Sequence, residues 1–285
     1  MIQEDNFEKV ALVLSGGGAR GMAHIGVLRA LNENGIFPKE LSGTSIGAII
    51  GLLYAAGLRP EEIIKQIELL KFHDLFSSYT KIRKRSLKVL YPILKKMIGV
   101  DQFDQLKLPL HIAVSNVNTS RPELITKGDC IHAALASASL PFVFRSYENN
   151  GMDYIDGGLL NNFPIDPFLD KDLAILGCDV NYLGEAKEVK KMIHFIERTI
   201  RMALFQNVRL REHYCDYLIE PEKTSDFSTF DFKRSRLLYT LGYEKTLSEM
   251  EDIKKAISEY KTKQEEKRKL HDVLSMDKIS EKRTF

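Results

Sequence analysis

The sequence predicts an α/β sandwich with a largely parallel central sheet. Three observations carry that prediction. Short, continuously apolar runs, at residues 10–14 and 173–178, have the unbroken hydrophobicity of strands covered on both faces. Segments between such runs repeat apolar residues at the helical period. Glycine-rich junctions, Ser15-Gly16-Gly17-Gly18 and Gly43-Thr44-Ser45-Ile46-Gly47, stand where a strand hands over to a helix.

The elements follow in chain order. Residues 10–14 form the first strand, which opens into the glycine loop. Met22, Ile25, Leu28 and Leu31 recur three apart over 21–34, and Asn34-Gly35 closes that helix with a C-cap. A second strand over 40–44 turns at Gly43 to Gly47 into an apolar helix, 48–56, ended by Gly57. Pro60-Glu61-Glu62 places a proline and two acids in the first turn of the next helix. Residues 109–115 are another strand, with shorter ones at 124–126, 143–144 and 154–155. An Asn149-Asn150-Gly151 turn joins the last two. Residues 173–178 give a further core strand, 188–211 a long helix, and 216–220 the last strand. From Ser235 the chain reads as helix, and beyond about residue 260 it is almost all charge, as in a solvated end. Residues 8–220 therefore form the sandwich domain and 221–285 a C-terminal helical extension with a charged tail.

Composition narrows the function. The 285 residues are 44% hydrophobic and 28% charged, a globular balance. With 41 basic and 39 acidic side chains, the net charge of +2 is too near balance for a dedicated nucleic-acid binder. No apolar run reaches the roughly 20 residues of a membrane helix. The first nine residues are acidic and lead straight into a strand, without signal-peptide form, so the cytoplasm is the expected address. Cys130, Cys178 and Cys215 are too few and too far apart for a disulfide framework or a Cys-rich zinc site.

Gly43-Thr44-Ser45-Ile46-Gly47 fits the nucleophile-elbow pattern, in which a tight strand-to-helix turn presents the serine at its apex. The hydroxyl then lies at a helix N-terminus, where a developing anion is favoured. Gly16-Gly17-Gly18-Ala19-Arg20-Gly21 also joins a strand to a helix, and its backbone N–H groups can converge on a phosphate or on the oxyanion of acyl transfer. Gly16, Gly18 and Gly21 match a dinucleotide fingerprint, but Glu40, at the required distance, begins the second strand instead of ending it. Arg20 reads as a residue that holds the loop to its neighbours. A serine nucleophile needs a base. His73, His111, His132, His194, His213 and His271 sit in no recognisable catalytic setting, whereas Asp156, followed by Gly157 and Gly158, ends a strand where active-site loops collect. A turn aspartate is the alternative reading of Asp156.

Taken in order, the motifs at 16–21, 43–47 and 156–158 resemble the patatin-like phospholipase family. Ser137-Ala138-Ser139-Leu140-Pro141-Phe142 and Gly158-Leu159-Leu160-Asn161-Asn162-Phe163-Pro164 are similar to that family too. The resemblance covers residues 8–220 and implies a three-layer, patatin-like sandwich. It also implies a lipid acyl hydrolase with a Ser–Asp dyad, no catalytic histidine, no metal and no cofactor. Ser45 is then the nucleophile, Asp156 the base, and the amides of Gly16, Gly17, Gly18 and Ala19 the oxyanion hole. Gly21, Gly43, Gly47, Gly157 and Gly158 support these turns. The family often has Asp before the glycine loop, where this chain has Ser15. The implied partner is a lipid or ester substrate. The alternatives are acyl transfer or thioester hydrolysis with the same dyad, a dinucleotide-binding oxidoreductase using the glycine loop, and a non-catalytic membrane adaptor.

Residues 71–99 carry eight basic side chains (Lys71, Lys81, Arg83, Lys84, Arg85, Lys88, Lys95 and Lys96) against one acid, Asp74. Read as a helix over 84–98, the segment puts Leu87, Leu90, Tyr91, Leu94 and Ile98 on one side, with Val89, Ile93 and Met97 extending that arc. The lysines and Arg85 lie opposite, and Pro92 should kink or split the helix. Such a cap could simply cover the core, or it could dock on anionic lipid near Ser45.

Overall fold

The computed structural model describes residues 9–69, 86–141, 143–149, 151–184 and 192–262. Lys71, Lys81, Arg83, Lys84, Arg85, Phe142, Asn150, the expected helix start at 188–191 and the charged tail beyond 262 lie outside the described residues.

Among the described residues, eight strands make one sheet: β1 (Val10–Leu14), β2 (Glu40–Thr44), β3 (Leu110–Asn116), β4 (Arg121–Ile125), β5 (Tyr147–Asn149), β6 (Met152–Asp156), β7 (Ala174–Cys178) and β8 (Tyr217–Ile219). They run in the order β5-β6-β3-β2-β1-β7-β8, with β4 also on β3. The pairs joining β3, β2, β1, β7 and β8 are all parallel, and β4, β5 and β6 add antiparallel pairs beyond β3. Each parallel crossover needs a helix, which is why the glycine junctions alternate with α1 (Met22–Glu33), α2 (Ile46–Ala55) and α3 (Pro60–Leu69).

The central strand shows the three layers. All five residues of β1 are buried. Val10, Leu12 and Leu14 face one apolar cluster, with residues of α1 and α2. Ala11 and Val13 face a second, built from Phe163, Ile165, Phe168, Ile175 and Val208. Alternate residues of a strand point to opposite faces, so a continuous apolar strand demands cover on both. The remaining described helices are α4 (Tyr91–Ile98), α5 (Cys130–Ser137), α6 (Met192–Arg209), α7 (Ser235–Ser248) and α8, residues 250–262. α7 lies on α1 with backbones in contact: a Cβ at Gly26 would fall 2.0 Å from the Tyr239 carbonyl, and one at Gly242 2.1 Å from that of Ala23.

The structure corrects the sequence reading at several elements. Val143 and Phe144 form no strand; both amides donate to the Leu140 carbonyl and are lost to any ladder. The hairpin partner of β6 is β5, through Tyr147, which is buried opposite Tyr154. α2 starts two residues early, because the amides of Ala48 and Ile49 bond directly to the Ser45 carbonyl. α5 was not foreseen: seven of its eight residues are buried, so it shows no apolar period. Pro92 does divide the cap, into a 3-10 turn at Leu87–Leu90 and α4, with the proline in the first turn of α4. Leu87, Leu90 and Leu94 are buried as expected, but Val89, assigned to the same arc, is 53% exposed because the 3-10 turn rotates it outward.

Candidate active site

β3 acts as the ruler that brings the site together. Thr44, at the end of β2, pairs with Ala113, and Asp156, at the end of β6, pairs with Val114. Ser45 follows Thr44, so parallel and antiparallel neighbours deliver a serine and an aspartate to the same point although 111 residues separate them.

Ser45 sits at φ 55°, a region that costs a non-glycine residue on the order of 1–3 kcal/mol. The turn is so tight that a Cβ on Gly43 would lie 2.6 Å from the Gly47 carbonyl, and one on Gly47 2.4 Å from that of Leu14. This is the physical reason for the Gly-x-Ser-x-Gly spacing. The strained residue is pinned from behind: its amide donates to Ser137 Oγ at 2.8 Å, and Ser137 Oγ donates to the Ala113 carbonyl at 2.6 Å.

The Ser45 hydroxyl donates to Asp156 Oδ2 at 2.6 Å, and the Gly158 amide donates to Oδ1 at 2.8 Å. Asp156 is 5% exposed. Burial pushes its carboxyl up to about 6, against the opposing pull of the bonds from Ser45 and Gly158. The group is still mostly ionised at neutral pH, and it is a stronger base than an ordinary aspartate.

The glycine loop runs beside this pair. Its Gly16 amide donates to Asn162 Oδ1 at 3.1 Å, and its Ala19 amide to the Thr229 carbonyl at 2.7 Å. Those two bonds remove Gly16 and Ala19 from the expected set of free donors. Among the described residues, the amides of Gly17 and Gly18 meet no protein acceptor. Three consecutive carbonyls are held from the other side. His24 Nε2 bonds to Ser15 O at 2.8 Å, Asn181 Nδ2 donates to Gly16 O at 2.5 Å, and Arg20 Nε donates to Gly17 O at 3.3 Å. His24 is fully buried, which lowers its pKa to about 4 and keeps the ring neutral. Because a carbonyl can only accept, its Nε2 carries the proton and Nδ1 faces Cys178 Sγ at 3.1 Å. Arg20, also fully buried, donates through one terminal nitrogen to Asn181 Oδ1 and Thr229 Oγ1.

Other sequence candidates fall elsewhere. Glu40 begins β2 in register with Ala11, three residues before the strand end that carries the glycine loop, and it pairs there with His111 and Lys171. No acid therefore stands where a dinucleotide ribose would need one. Among the described residues no histidine bonds to Ser45 or Asp156. In the cap, Lys88 reaches the Glu148 carbonyl and Lys95 pairs with Asp101, while Lys96 is exposed. Ser137 and Asn162 lie in segments noticed in the sequence without a role. Asn181 follows β7 at the carboxyl edge of the sheet, where ligands of such folds gather, and that position was its available signal. Thr229 had none. Among the described residues, no helix is long and apolar enough to cross a membrane.

The sequence pattern of the patatin-like phospholipase family matches residues 12–169, more than half of the chain. An uncharacterized NTE family protein of Mycobacterium tuberculosis is 32% identical over 203 residues, covering 68% of this chain and 56% of the relative. Lysophospholipase nte1 of Aspergillus fumigatus is 33% identical over 184 residues, covering 60% of this chain and 11% of the relative. The chain thus spans little more than half of the mycobacterial relative and about a tenth of the fungal one. Among solved structures, VipD from Legionella pneumophila shares the fold, with a TM-score of 0.51 at 15% identity over 89% of this chain and 67% of that one.

Proposed function

Because the chain belongs to the patatin-like phospholipase family, we propose that it is a serine lipid acyl hydrolase, with Ser45 as nucleophile and Asp156 as base. The observation that carries this reading is the 2.6 Å bond from Ser45 Oγ to a buried carboxylate oxygen. A carboxylate is far too weak to form a free alkoxide, so proton transfer to Asp156 accompanies attack on the ester carbonyl. The Ser45 oxygen bonds to the acyl carbon and the oxyanion that develops is taken by the amides of Gly17 and Gly18. Asp156 returns its proton to the departing alcohol as the ester C–O bond breaks. Water then gives a proton to Asp156 and attacks the acyl-enzyme, and Ser45 regains a proton as the fatty acid leaves. The chemistry as written uses protein groups and water alone.

The substrate class is carboxylic esters of phospholipids or lysophospholipids; a relative named as a lysophospholipase supports it. An acceptor alcohol or a thioester could enter the same cycle in place of water or an oxygen ester. Contact with lipid is peripheral, at an anionic surface. The test is labelling with a fluorophosphonate, with mass spectrometry to locate the adduct, followed by hydrolysis of a lipid panel. The adduct is expected on Ser45, and Ser45→Ala should lose both labelling and turnover while remaining folded. Residual turnover above about one per cent would move the nucleophile elsewhere.

A further inference from the structure

We infer that Asn181 is a positioning residue that aims the oxyanion donors; the inference rests on the acyl-hydrolase reading above. Three glycines in succession give the 16–18 backbone wide conformational freedom, so its peptide planes need external restraint to point their N–H groups one way. In a trans peptide unit the carbonyl of one residue and the N–H of the next point in opposite directions. Holding the Gly16 carbonyl therefore directs the Gly17 N–H, and holding the Gly17 carbonyl directs the Gly18 N–H. Asn181 makes the first bond itself, Nδ2 to Gly16 O at 2.5 Å. It governs the second through Arg20, whose guanidinium donates both to Gly17 O and to Asn181 Oδ1. One carboxamide thus sets the two consecutive planes whose N–H groups remain free.

The orientation of that carboxamide is fixed by chemistry. Gly16 O and Asp179 Oδ1 are acceptors and both face Nδ2, the latter at 2.9 Å, while the Arg20 guanidinium is purely a donor and faces Oδ1 at 3.3 Å. Asn181 and Asp179 are both fully buried, and Asp179 Oδ1 also accepts the Asn181 amide at 3.0 Å. A flipped side chain would set donor against donor and acceptor against acceptor. Residue 181 lies beyond the stretch that matches the family pattern, so part of the catalytic apparatus is supplied from outside it.

Asn181→Ala removes both arms of the clamp; Asn181→Asp keeps the volume and the acceptor for Arg20 but presents an oxygen to Gly16 O. Each is assayed on a soluble short-chain ester, with thermal melting to confirm folding. The expected result is a kcat lower by about 100-fold, the scale of losing one oxyanion donor, with KM changed less than threefold. Affinity for a trifluoromethyl ketone, which becomes an anionic adduct, should fall with kcat, while affinity for a non-reacting ether analogue stays constant. A folded variant with kcat within threefold of wild type, or a loss lying in KM, overturns the inference. Amide NMR of the wild type with the ketone bound gives a result that does not depend on any variant folding. The Gly17 and Gly18 N–H signals should move and those of Gly16 and Ala19 should not, and the reverse pattern overturns the proposed aim. Ser45→Ala run alongside separates the two failures. If the wild type has no Ser45-dependent turnover, the hydrolase reading falls; if it has, and the Asn181 variants match it, only this inference falls.

Discussion

Asp156→Asn should destroy activity and stabilise the protein in the same step. The folded chain holds the Asp156 carboxyl at about 6 instead of the ordinary 3.8, and the largest cause is burial. At 1.36 kcal/mol for each pH unit, keeping that group ionised costs the fold about 3 kcal/mol. The sign follows from the direction: the folded state prefers the neutral form. The corresponding stability is therefore fully present below about pH 4 and is lost as pH rises through about 6. Asparagine has the shape of the neutral form at every pH. Its oxygen can accept from the Gly158 amide, and its nitrogen can donate to Ser45 Oγ, so both partners keep a bond, the one to Ser45 with its direction reversed. At pH 8 the variant should melt higher than wild type, by roughly 5–10 °C for a chain of this size. The gap should shrink towards zero near pH 4. Ester hydrolysis should fall by about three orders of magnitude, since the base is gone. In the wild type, kcat/KM should rise with pH through a single midpoint near 6, because the carboxylate must be ionised to accept the proton. Paired melting curves and pH–rate profiles check all of this. A variant no more stable than wild type at pH 8, or a stability gap that ignores pH, would refute the argument that burial raises the Asp156 pKa.

Ser137→Ala should lower stability by about 1–3 kcal/mol, since it strips the Ser45 amide of its acceptor, and should lower kcat, measured by denaturation and ester turnover. Gly18→Ala adds a Cβ at φ +59° that would lie 2.3 Å from the Thr229 carbonyl, so the loop must shift. Its kcat should drop more than its KM rises, and an unchanged kcat would remove Gly18 from the oxyanion role. Replacing Lys84, Arg85 and Lys96 by glutamine should weaken binding to anionic vesicles and spare hydrolysis of a soluble ester. Binding equal to wild type would make the cap a cover for the core alone. Lys88 and Lys95 are left out of that variant because they already bond within the protein.

The parts of the site legible in the sequence are those set by local geometry. A buried strand, a glycine loop and a Gly-x-Ser-x-Gly turn announce themselves within a few residues, because sterics fix the residue types. Asp156 stood out because it ends a strand and glycines follow it, but its role as base came only from the resemblance of the motifs taken in order. The groups that hold these pieces were not. Ser137 reaches Ser45 from 92 residues away and Asn181 reaches Gly16 from 165, contacts that only the finished sheet creates. Asn162 lay in a noticed segment, but its bond to the Gly16 amide has no local signature. The same distinction explains the elements. α1 follows a clear period, whereas α5, buried nearly all round, has none, and Val143 and Phe144 have strand-like side chains whose amides are consumed by a turn.

The glycine crossing of α1 and α7 has a mechanical consequence. Where the two backbones touch, no side chain lies between them to change rotamer, and Arg29–Tyr239 and Tyr243–Glu33 bonds join the helices beyond the crossing, so sliding one past the other is costly. The glycine loop leads into α1, and its Ala19 amide is tied to Thr229, just ahead of α7. The loop is thus tied at both ends to a closely packed pair of helices. Residues 86–98 are anchored by Leu87, Leu90 and Leu94, buried in the main core, and by side-chain bonds from Tyr91 to Asp129, Lys88 to Glu148 and Lys95 to Asp101. The polar links are partly exposed and add little, so the three leucines carry most of that attachment. The proposed oxyanion donors are therefore mounted beside the helix pair whose backbones touch.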